Sequence, residues 1–157
     1  MICLSFDKCV IELQLCAKDN DVKNWKSTNR DSLIQELHKS WNEDMIWWGP
    51  TGIGATYTIE RYADQHAGPF RETFKDRNFL GHLCRVSEGM YGGFFGWLNM
   101  TLTPTKEYMG INVAEKSCEM RVIDMYRREG EKLTENWIFI DFLHFWKMQG
   151  IDILAGV

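Results

Sequence analysis

The sequence predicts an α+β domain in which helices near the N-terminus pack on a strongly curved antiparallel sheet. Apolar residues recur at helical spacing up to Gly68 and Pro69, whereas extended segments separated by turn residues follow. Two of these extended segments are rich in glycine, which permits bulges and sharp bends in a sheet. Because helices that close a curved sheet make a cone, we expect an internal pocket suited to a ligand.

A single domain spanning residues 1–157 accounts for the chain, in which we find no repeat and no linker. Hydrophobic residues make up 45% and charged residues 25%, as is usual for soluble globular proteins. A net charge of −4 argues against a nucleic-acid surface, and no segment has the length and apolar character of a membrane helix. We therefore expect neither nucleic acid nor a membrane as a partner.

The cysteines and histidines are dispersed along the chain. The five cysteines form no C-x-x-C pair, which argues against a disulfide framework and indicates reduced thiols in a cytoplasmic protein. Asp7, Lys8 and Glu12 interrupt the apolar N-terminal run, so we do not expect a signal peptide. The four histidines include no i, i+4 pair, and we expect no metal site.

Two helices are predicted in the first part of the chain. The first is an extra N-terminal helix over residues 1–20, where apolar residues recur at helical spacing. The second begins at Ser32, which has the spacing of a capping box with Gln35, and it ends near Asn42. Leu33 and Leu37 lie on its apolar face.

A glycine-rich segment, WWGPTGIGA, precedes the third predicted helix. Gly49 and Gly54 have the spacing of a nucleotide-binding P-loop, but Ala55 stands where that loop requires lysine. We therefore interpret the segment as a tight turn that leads from a short strand into the helix. The helix has an apolar stripe at i, i+3, i+4 and i+7 and ends at the Gly-Pro pair; the stripe consists of Ile59, Tyr62, Ala63 and His66.

Four extended segments follow, each bounded by turn residues. Glu129 and Gly130 join the last two segments into the clearest predicted hairpin. A final helix is predicted over residues 141–154. The four segments are NFLGHLCRV (78–86), MYGGFFGWLNMTLT (90–103), KSCEMRVIDMYR (116–127) and KLTENWIFID (132–141).

Four stretches of the chain, in their order and spacing, resemble the SnoaL-like polyketide cyclase branch of the nuclear transport factor two-like superfamily. They are DMIWWGPTGIGATYTIERY, HAGPF, GHLCRVSEG and MRVIDMYRREGEKLTENWIFID, and the similarity covers about residues 30–155. The resemblance implies a cone with a deep, mostly apolar pocket and a homodimer that packs through the outer face of the sheet. It also implies acid–base chemistry inside the cone without a metal or an organic cofactor.

Asp124 is the leading candidate for catalysis, with His82 second. Strand alternation places Asp124 on the apolar face of its segment, where it is the only charge, and burial of a carboxylate raises its pKa. The alternative is a buried Asp that an arginine or a backbone amide satisfies for structural reasons. His82 shares the mainly apolar face of segment 78–86 with Leu80, Cys84 and Val86, although a histidine there can equally be a packed core residue.

A further set of residues is expected to line the pocket. Ile138 stands where the polyketide cyclases appear to carry their acid–base Asp, which places the aldol-cyclase mechanism in doubt unless Asp124 replaces it. Asp141 matches another Asp of the family, and we interpret it as the cap of the final helix. We expect six residues to contact the ligand: Trp48, Tyr62, His66, Tyr126, Asn136 and Ile138. Trp47 is the alternative to Trp48 at the cavity.

The predicted function is proton transfer next to a carbonyl of an apolar, oxygenated substrate, as in cyclisation, isomerisation or dehydration. Asp124 removes the proton in this hypothesis, and His82 or Asn136 donates a hydrogen bond to the developing enolate oxygen. A hydrolase that activates water with Asp124 is also open. The alternatives from another class are a non-catalytic binding module and a dimeric interaction module with the same fold.

Overall fold

The computed structural model of the protein describes residues 29–155, so the predicted helix over residues 1–20 lies outside the described range. The α+β class is confirmed within this range. The helical elements are α1 (Arg30–Ser40), α2 (Ile59–Tyr62), a π-helical turn (Ala63–Ala67), α3 (Gly68–Thr73) and α4 (Phe142–Met148). The strands are β1 (Trp41–Trp48), β2 (Ala55–Tyr57), β3 (Phe74–Phe79), β4 (Cys84–Glu88), β5 (Tyr91–Pro104), β6 (Cys118–Glu129) and β7 (Lys132–Ile140).

The strands form one sheet in the order β2-β1-β7-β6-β5-β3, and β4 also pairs with β5. All pairs are antiparallel except β1 with β7, which run parallel. The sheet is therefore mixed and not purely antiparallel as predicted. A parallel pair needs a long connection, and here almost the whole domain lies between its two strands.

The N-cap of helix α1 lies three residues earlier in the chain than predicted, at Asn29 instead of Ser32. The side chain of Asn29 accepts a hydrogen bond from the backbone N–H of Ser32 at 3.0 Å, so Asn29 and not Ser32 is the N-cap. The helix ends at Ser40, because Trp41 is already extended and begins β1. Leu33 is buried on the predicted apolar face.

The third predicted helix does not end at Gly68 and Pro69, as the sequence suggested. The backbone N–H of Gly68 donates to the carbonyl of Ala63, which closes a π-helical turn, and α3 follows without a break. Pro69 lies in the first turn of α3. A Cβ at position 68 would lie 2.8 Å from the carbonyl oxygen of Ala63, so glycine fits this turn.

The glycine-rich loop connects two strands and does not lead directly into a helix. Trp48 of β1 pairs with Ala55 of β2, so residues 49–54 form the loop of a hairpin. A Cβ on Gly49 would lie 2.0 Å from the ring of Trp47. Gly54 has a φ of 81°, which favours glycine. The loop is thus explained by packing and backbone conformation.

The predicted strand over residues 78–86 is broken. β3 ends at Phe79, β4 begins at Cys84, and a loop of residues 80–83 with Gly81 at a φ of 106° lies between them. The other three predicted strands are confirmed within a few residues. The hairpin between β6 and β7 is also confirmed, with Gly130 at a φ of 58° in its turn.

The two faces of the sheet differ in their surroundings. The inner face packs on the helices, and β6 alternates there as predicted, since its buried side chains are Cys118, Met120, Val122 and Asp124. The outer face carries exposed aromatic side chains, which include Phe95, Trp97 and Phe139. Among residues 29–155, no helix has the length and apolar character needed to span a membrane.

Candidate active site

Asp124 lies on the inner face of β6 and is 6% exposed. Burial raises the pKa of its carboxyl group from the usual 3.8 to about 7, and two hydrogen bonds to Asp124 partly oppose this shift. The carboxyl group therefore exists in both protonation states near neutral pH, which is the condition for a general acid–base residue.

Tyr126 and Asn136 donate the two hydrogen bonds to Asp124. The hydroxyl of Tyr126 donates to Oδ2 at 2.7 Å, and the side-chain amide of Asn136 donates to Oδ1. The amide of Asn136 also donates to the backbone carbonyl of Met125 at 3.0 Å. A carboxylate has about four acceptor positions, so this arrangement fixes the orientation of Asp124 and leaves it capacity to accept a proton.

Strand register brings these residues together. Tyr126 of β6 pairs directly with Asn136 of β7, and Asp124 pairs with Ile138 of β7 and with Phe94 of β5. Side chains of directly paired residues share a face, so Ile138 and Phe94 flank Asp124 on the inner face. These two apolar neighbours contribute to the desolvation that raises the pKa of Asp124.

A layer of aromatic side chains lies beside Asp124, Tyr126 and Asn136, on the side where β1 and the helical residues 59–67 lie. Tyr62 packs against Trp41 and Trp47, with ring centroids 6.0 Å and 5.5 Å apart. Burial raises the pKa of Tyr62, and the negative charge of Asp124 raises it further, so its hydroxyl stays protonated. Tyr62 therefore lies within electrostatic reach of Asp124.

Trp48 is not in the interior, contrary to the prediction. It lies on the outer face, is 39% exposed, and its Nε1 is 3.5 Å from a carboxylate oxygen of Glu135. Trp47, which is 1% exposed and pairs with Asn136, takes the interior position. Two adjacent tryptophans on a strand point to opposite faces, and the register of β1 that decides between them depends on β7.

His66 lies in the π-helical turn and stacks on Trp47, with centroids 4.1 Å apart and planes inclined by 15°. Burial lowers the pKa of His66 to about 3, so the imidazole is neutral at physiological pH. The ring also lines an open cleft of about 470 Å³, whose walls include Ile53, Tyr108 and Met109. This position lies between the aromatic layer and the surface.

His82 is not on a strand, because it lies in the loop between β3 and β4. Its predicted companions Leu80, Cys84 and Val86 are exposed, so the predicted apolar face is wrong. The ring of His82 stacks on Phe94 with centroids 3.6 Å apart. Partial burial and the charge of Arg85 lower the pKa of His82 to about 4. Phe94 also pairs with Asp124 across the sheet, so this one residue is a neighbour of both catalytic candidates.

Asp141, the other acidic residue considered from the sequence, directly follows β7. Asp141 caps α4 as expected, because its carboxylate accepts from the backbone N–H of His144 at 3.0 Å. The Nε2 of His144 lies 3.1 Å from a carboxylate oxygen of Glu119. Within residues 29–155, no group of three or more histidine, cysteine or acidic side chains is arranged to hold a metal ion.

Two buried polar residues on the inner side of the sheet were not predicted from the sequence. Thr56 and Asn99 are 1% and 3% exposed, and neither the Thr56 hydroxyl nor Asn99 Oδ1 has a hydrogen-bond partner among residues 29–155. Thr56 pairs with Trp47, and Asn99 lies at an irregularity of β5. Simple alternation cannot place a residue within an irregular strand, so no sequence pattern indicated Asn99.

Residues 33–147 match the family of SnoaL-like polyketide cyclases. TsrD from Streptomyces laurentii has a similar structure, with a TM-score of 0.66 and 15% sequence identity. The match covers 94% of this chain and 96% of TsrD. A candidate SnoaL-like polyketide cyclase from Shewanella denitrificans has 16% identity, coverages of 90% and 98%, and a TM-score of 0.64. A protein from Catenulispora acidiphila with a ketosteroid isomerase-like fold has 13% identity, coverages of 81% and 86%, and a TM-score of 0.57. No curated protein matches the sequence.

Proposed function

Because the chain belongs to the family of SnoaL-like polyketide cyclases, we propose that it is an enzyme that transfers a proton next to a carbonyl group. The substrate is an apolar, oxygenated small molecule, and Asp124 is the acid–base residue. The observation that carries this proposal is the buried carboxyl group of Asp124, which has a pKa of about 7 and is oriented by two donors. No metal or organic cofactor is required for this chemistry.

The reaction begins when the ionised carboxylate of Asp124 removes a proton from the carbon next to the carbonyl. The electrons of the broken C–H bond form an enolate, and Asp124 then holds the proton. Return of the proton to another carbon gives isomerisation, and its transfer to a departing hydroxyl gives dehydration. If the enolate instead attacks a second carbonyl, Asp124 protonates the new alkoxide and a ring is formed.

Asn136 positions Asp124 in this mechanism and does not bind the enolate. An amide has two N–H donors, and those of Asn136 are used by Asp124 and by the carbonyl of Met125. His82 is then the donor that we assign to the enolate oxygen. Arg85 donates to Nδ1 of His82 at 3.4 Å, so the proton of the neutral imidazole lies on Nε2. Tyr62, Tyr126, His66 and Ile138 shape the site and exclude water.

A second candidate function is a binding module that keeps the cone without catalysis. Ile138 favours it, because an isoleucine occupies the position of the apparent cyclase Asp and lies directly across from Asp124. Replacement of Asp124 by Asn separates the two functions. An enzyme loses turnover and keeps its ligand, whereas a binding module loses little of either.

The test is solvent deuterium uptake into a panel of cyclic ketones and β-keto esters, followed by NMR. The wild type should accelerate uptake, and the folded Asp124→Asn variant should lose about a hundredfold or more of that rate, as is typical of a lost general base. Equal uptake by both proteins would place the base elsewhere. Absence of uptake with the whole panel, together with unchanged ligand binding by the variant, would favour the binding module.

We also propose that the partner of the chain is a second copy, bound through the outer face of the sheet. Phe95 of β5 and Phe139 of β7 both pair with Ile123 of β6, so the three side chains form one row across the outer face. Phe95 is 38% exposed and Phe139 is 62% exposed. Exposed contiguous aromatic surface of this kind marks an interaction site.

A further inference from the structure

Gly93 of β5 lies against the backbone of the catalytic candidate Asp124. A Cβ at position 93 would overlap the carbonyl oxygen of Asp124 and would lie 3.1 Å from Cα of Met125. The φ of Gly93 is outside the left-handed region, so the backbone conformation alone does not require glycine there. Glycine at this position is therefore explained by the close approach of β6.

β6 approaches β5 more closely here than in an ordinary antiparallel pair. Gly93 pairs directly with Met125, and the next pair along the strands is Phe94 with Asp124. The Cβ atoms of directly paired residues are usually about 4.5–5.5 Å apart, which leaves room for both side chains. A Cβ on Gly93 would have no such room, because it would overlap main-chain atoms and not only a flexible side chain. The missing side chain thus permits the close approach at the residue that carries the carboxyl group.

Asn136 of β7 holds the same segment of β6 from the opposite side. Its amide donates to the carbonyl of Met125 at 3.0 Å and to Oδ1 of Asp124. β6 lies between β5 and β7 in the sheet, so the segment of Asp124 and Met125 lies between Gly93 and Asn136. A backbone shift in this segment therefore changes the distance between the carboxyl group and its donor.

Gly96 provides an internal comparison on the same strand. Its φ is also outside the left-handed region. The three atoms nearest to a Cβ at position 96 all belong to the side chain of Asn99, which is also a residue of β5. Alanine at position 96 therefore crowds a side chain of its own strand, whereas alanine at position 93 displaces the backbone of β6. The two glycines are matched in strand and differ in which atoms a side chain would displace.

We propose that Gly93 is a positioning residue of the proton-transfer site: the absence of a side chain lets β6 approach β5, so that the carboxyl group of Asp124 meets its donors. The inference rests on the proposed function, because the orientation of Asp124 matters for catalysis only if Asp124 transfers the proton. Gly93 does not touch the reacting atoms and acts through Asp124. Its effect is therefore measurable on the carboxyl group itself, without a substrate.

The test is an NMR titration of the side-chain carboxyl carbon of Asp124 in protein with isotope-labelled aspartate. The resonance is assigned by its absence from Asp124→Asn, and in the wild type it should titrate near pH 7. In Gly93→Ala the hydrogen bonds to the ionised carboxylate lengthen while the group stays buried, so its pKa should rise by about one unit. Gly96→Ala should titrate like the wild type, although it crowds the same strand.

Thermal unfolding verifies that each variant is folded. If Gly93→Ala does not fold, its combination with Met125→Ala removes the crowding by the sulfur of Met125 and keeps the overlap with the carbonyl oxygen of Asp124. The same rise is then expected relative to Met125→Ala alone. An unchanged or lowered pKa of Asp124 in the folded variant, or an equal rise in Gly96→Ala, would overturn the proposal.

Deuterium uptake separates this proposal from the proposed function. If Gly93 positions the catalytic base, the pH midpoint of uptake rises in Gly93→Ala together with the pKa of the carboxyl group. A purely structural glycine would lower the melting temperature on substitution and leave both midpoints in place, which would overturn the proposal. Absence of uptake by the wild type would contradict the proposed function, whereas the titration would still decide whether Gly93 sets the pKa of Asp124.

Discussion

At the scale of single residues, the candidate site depends on one carboxyl group, Asp124, whose pKa is set by its neighbours. Burial raises the pKa of Asp124, and the donors Tyr126 and Asn136 limit that rise by stabilising the ionised form. Alternation along β6 was sufficient to place Asp124 on the buried face from the sequence. It could not show that Asn136 supports Asp124, because that contact depends on the register between two strands.

Replacement of Tyr126 by Phe removes the donor to Oδ2 of Asp124. The ionised carboxylate loses a hydrogen bond, so we expect the pKa of Asp124 to rise by about one unit. The pH midpoint of deuterium uptake should move up by the same amount. Tyr108→Phe is the matched control, because the hydroxyl of Tyr108 is buried without a partner in the described range. A midpoint that stays in place or falls in Tyr126→Phe would contradict this role.

At the scale of elements, the sequence predicts the long regular strands correctly. It does not predict the features whose conformation depends on tertiary contacts. β6 and β7 were placed within a few residues because their alternation and their turn are local signals. The parallel pairing of β1 with β7 joins distant parts of the chain, and the choice of Trp47 over Trp48 depends on it. The loop of residues 80–83 and the π-helical turn each interrupt a regular pattern that continues in the sequence.

The π-helical turn gives a prediction for the pH dependence of stability. Burial lowers the pKa of His66 to about 3, whereas the unfolded chain takes up this proton near pH 6.5. The folded state therefore binds fewer protons in this window, and the contribution of His66 to stability is full above pH 6.5 and is lost as the pH falls. Between pH 7 and pH 5 the loss should be about 2 kcal/mol.

His66→Phe should abolish this loss while it retains an aromatic ring on Trp47. Urea unfolding at pH 7 and pH 5 measures the effect as a difference between the variant and the wild type. Asp124 has the opposite dependence, because its raised pKa favours the folded state as the pH falls from about 7 to 3.8. Its contribution is common to both proteins and cancels in the comparison. An equal pH dependence of the two proteins would contradict the assignment.

At the scale of the whole molecule, the two faces of the sheet differ in character. The inner face holds the candidate acid–base residue Asp124, and the outer face presents the apolar row of Phe95, Ile123 and Phe139. The sequence could not show which apolar residues of β5 stay exposed in a single chain. That distinction requires the packing of helices on one face only.

The proposed homodimer predicts that Phe139→Glu separates the two copies. A charge that is buried in an apolar interface without a partner is strongly unfavourable. Wild type should sediment at twice the chain mass, and Phe139→Glu at the mass of one chain. Leu143→Glu is the control, since Leu143 is 54% exposed on α4 and outside the apolar row of Phe95, Ile123 and Phe139. A monomeric wild type, or a dimer that survives Phe139→Glu, would contradict the proposal.

The central claim is that Asp124 acts as the base with a pKa of about 7, and the pH dependence of deuterium uptake tests it most directly. The rate with wild type should rise with pH and level off above a midpoint near 7, because only the ionised carboxylate accepts the proton. Asp124→Asn should show no such rise. A midpoint near 4, or a rise that persists in Asp124→Asn, would contradict the claim.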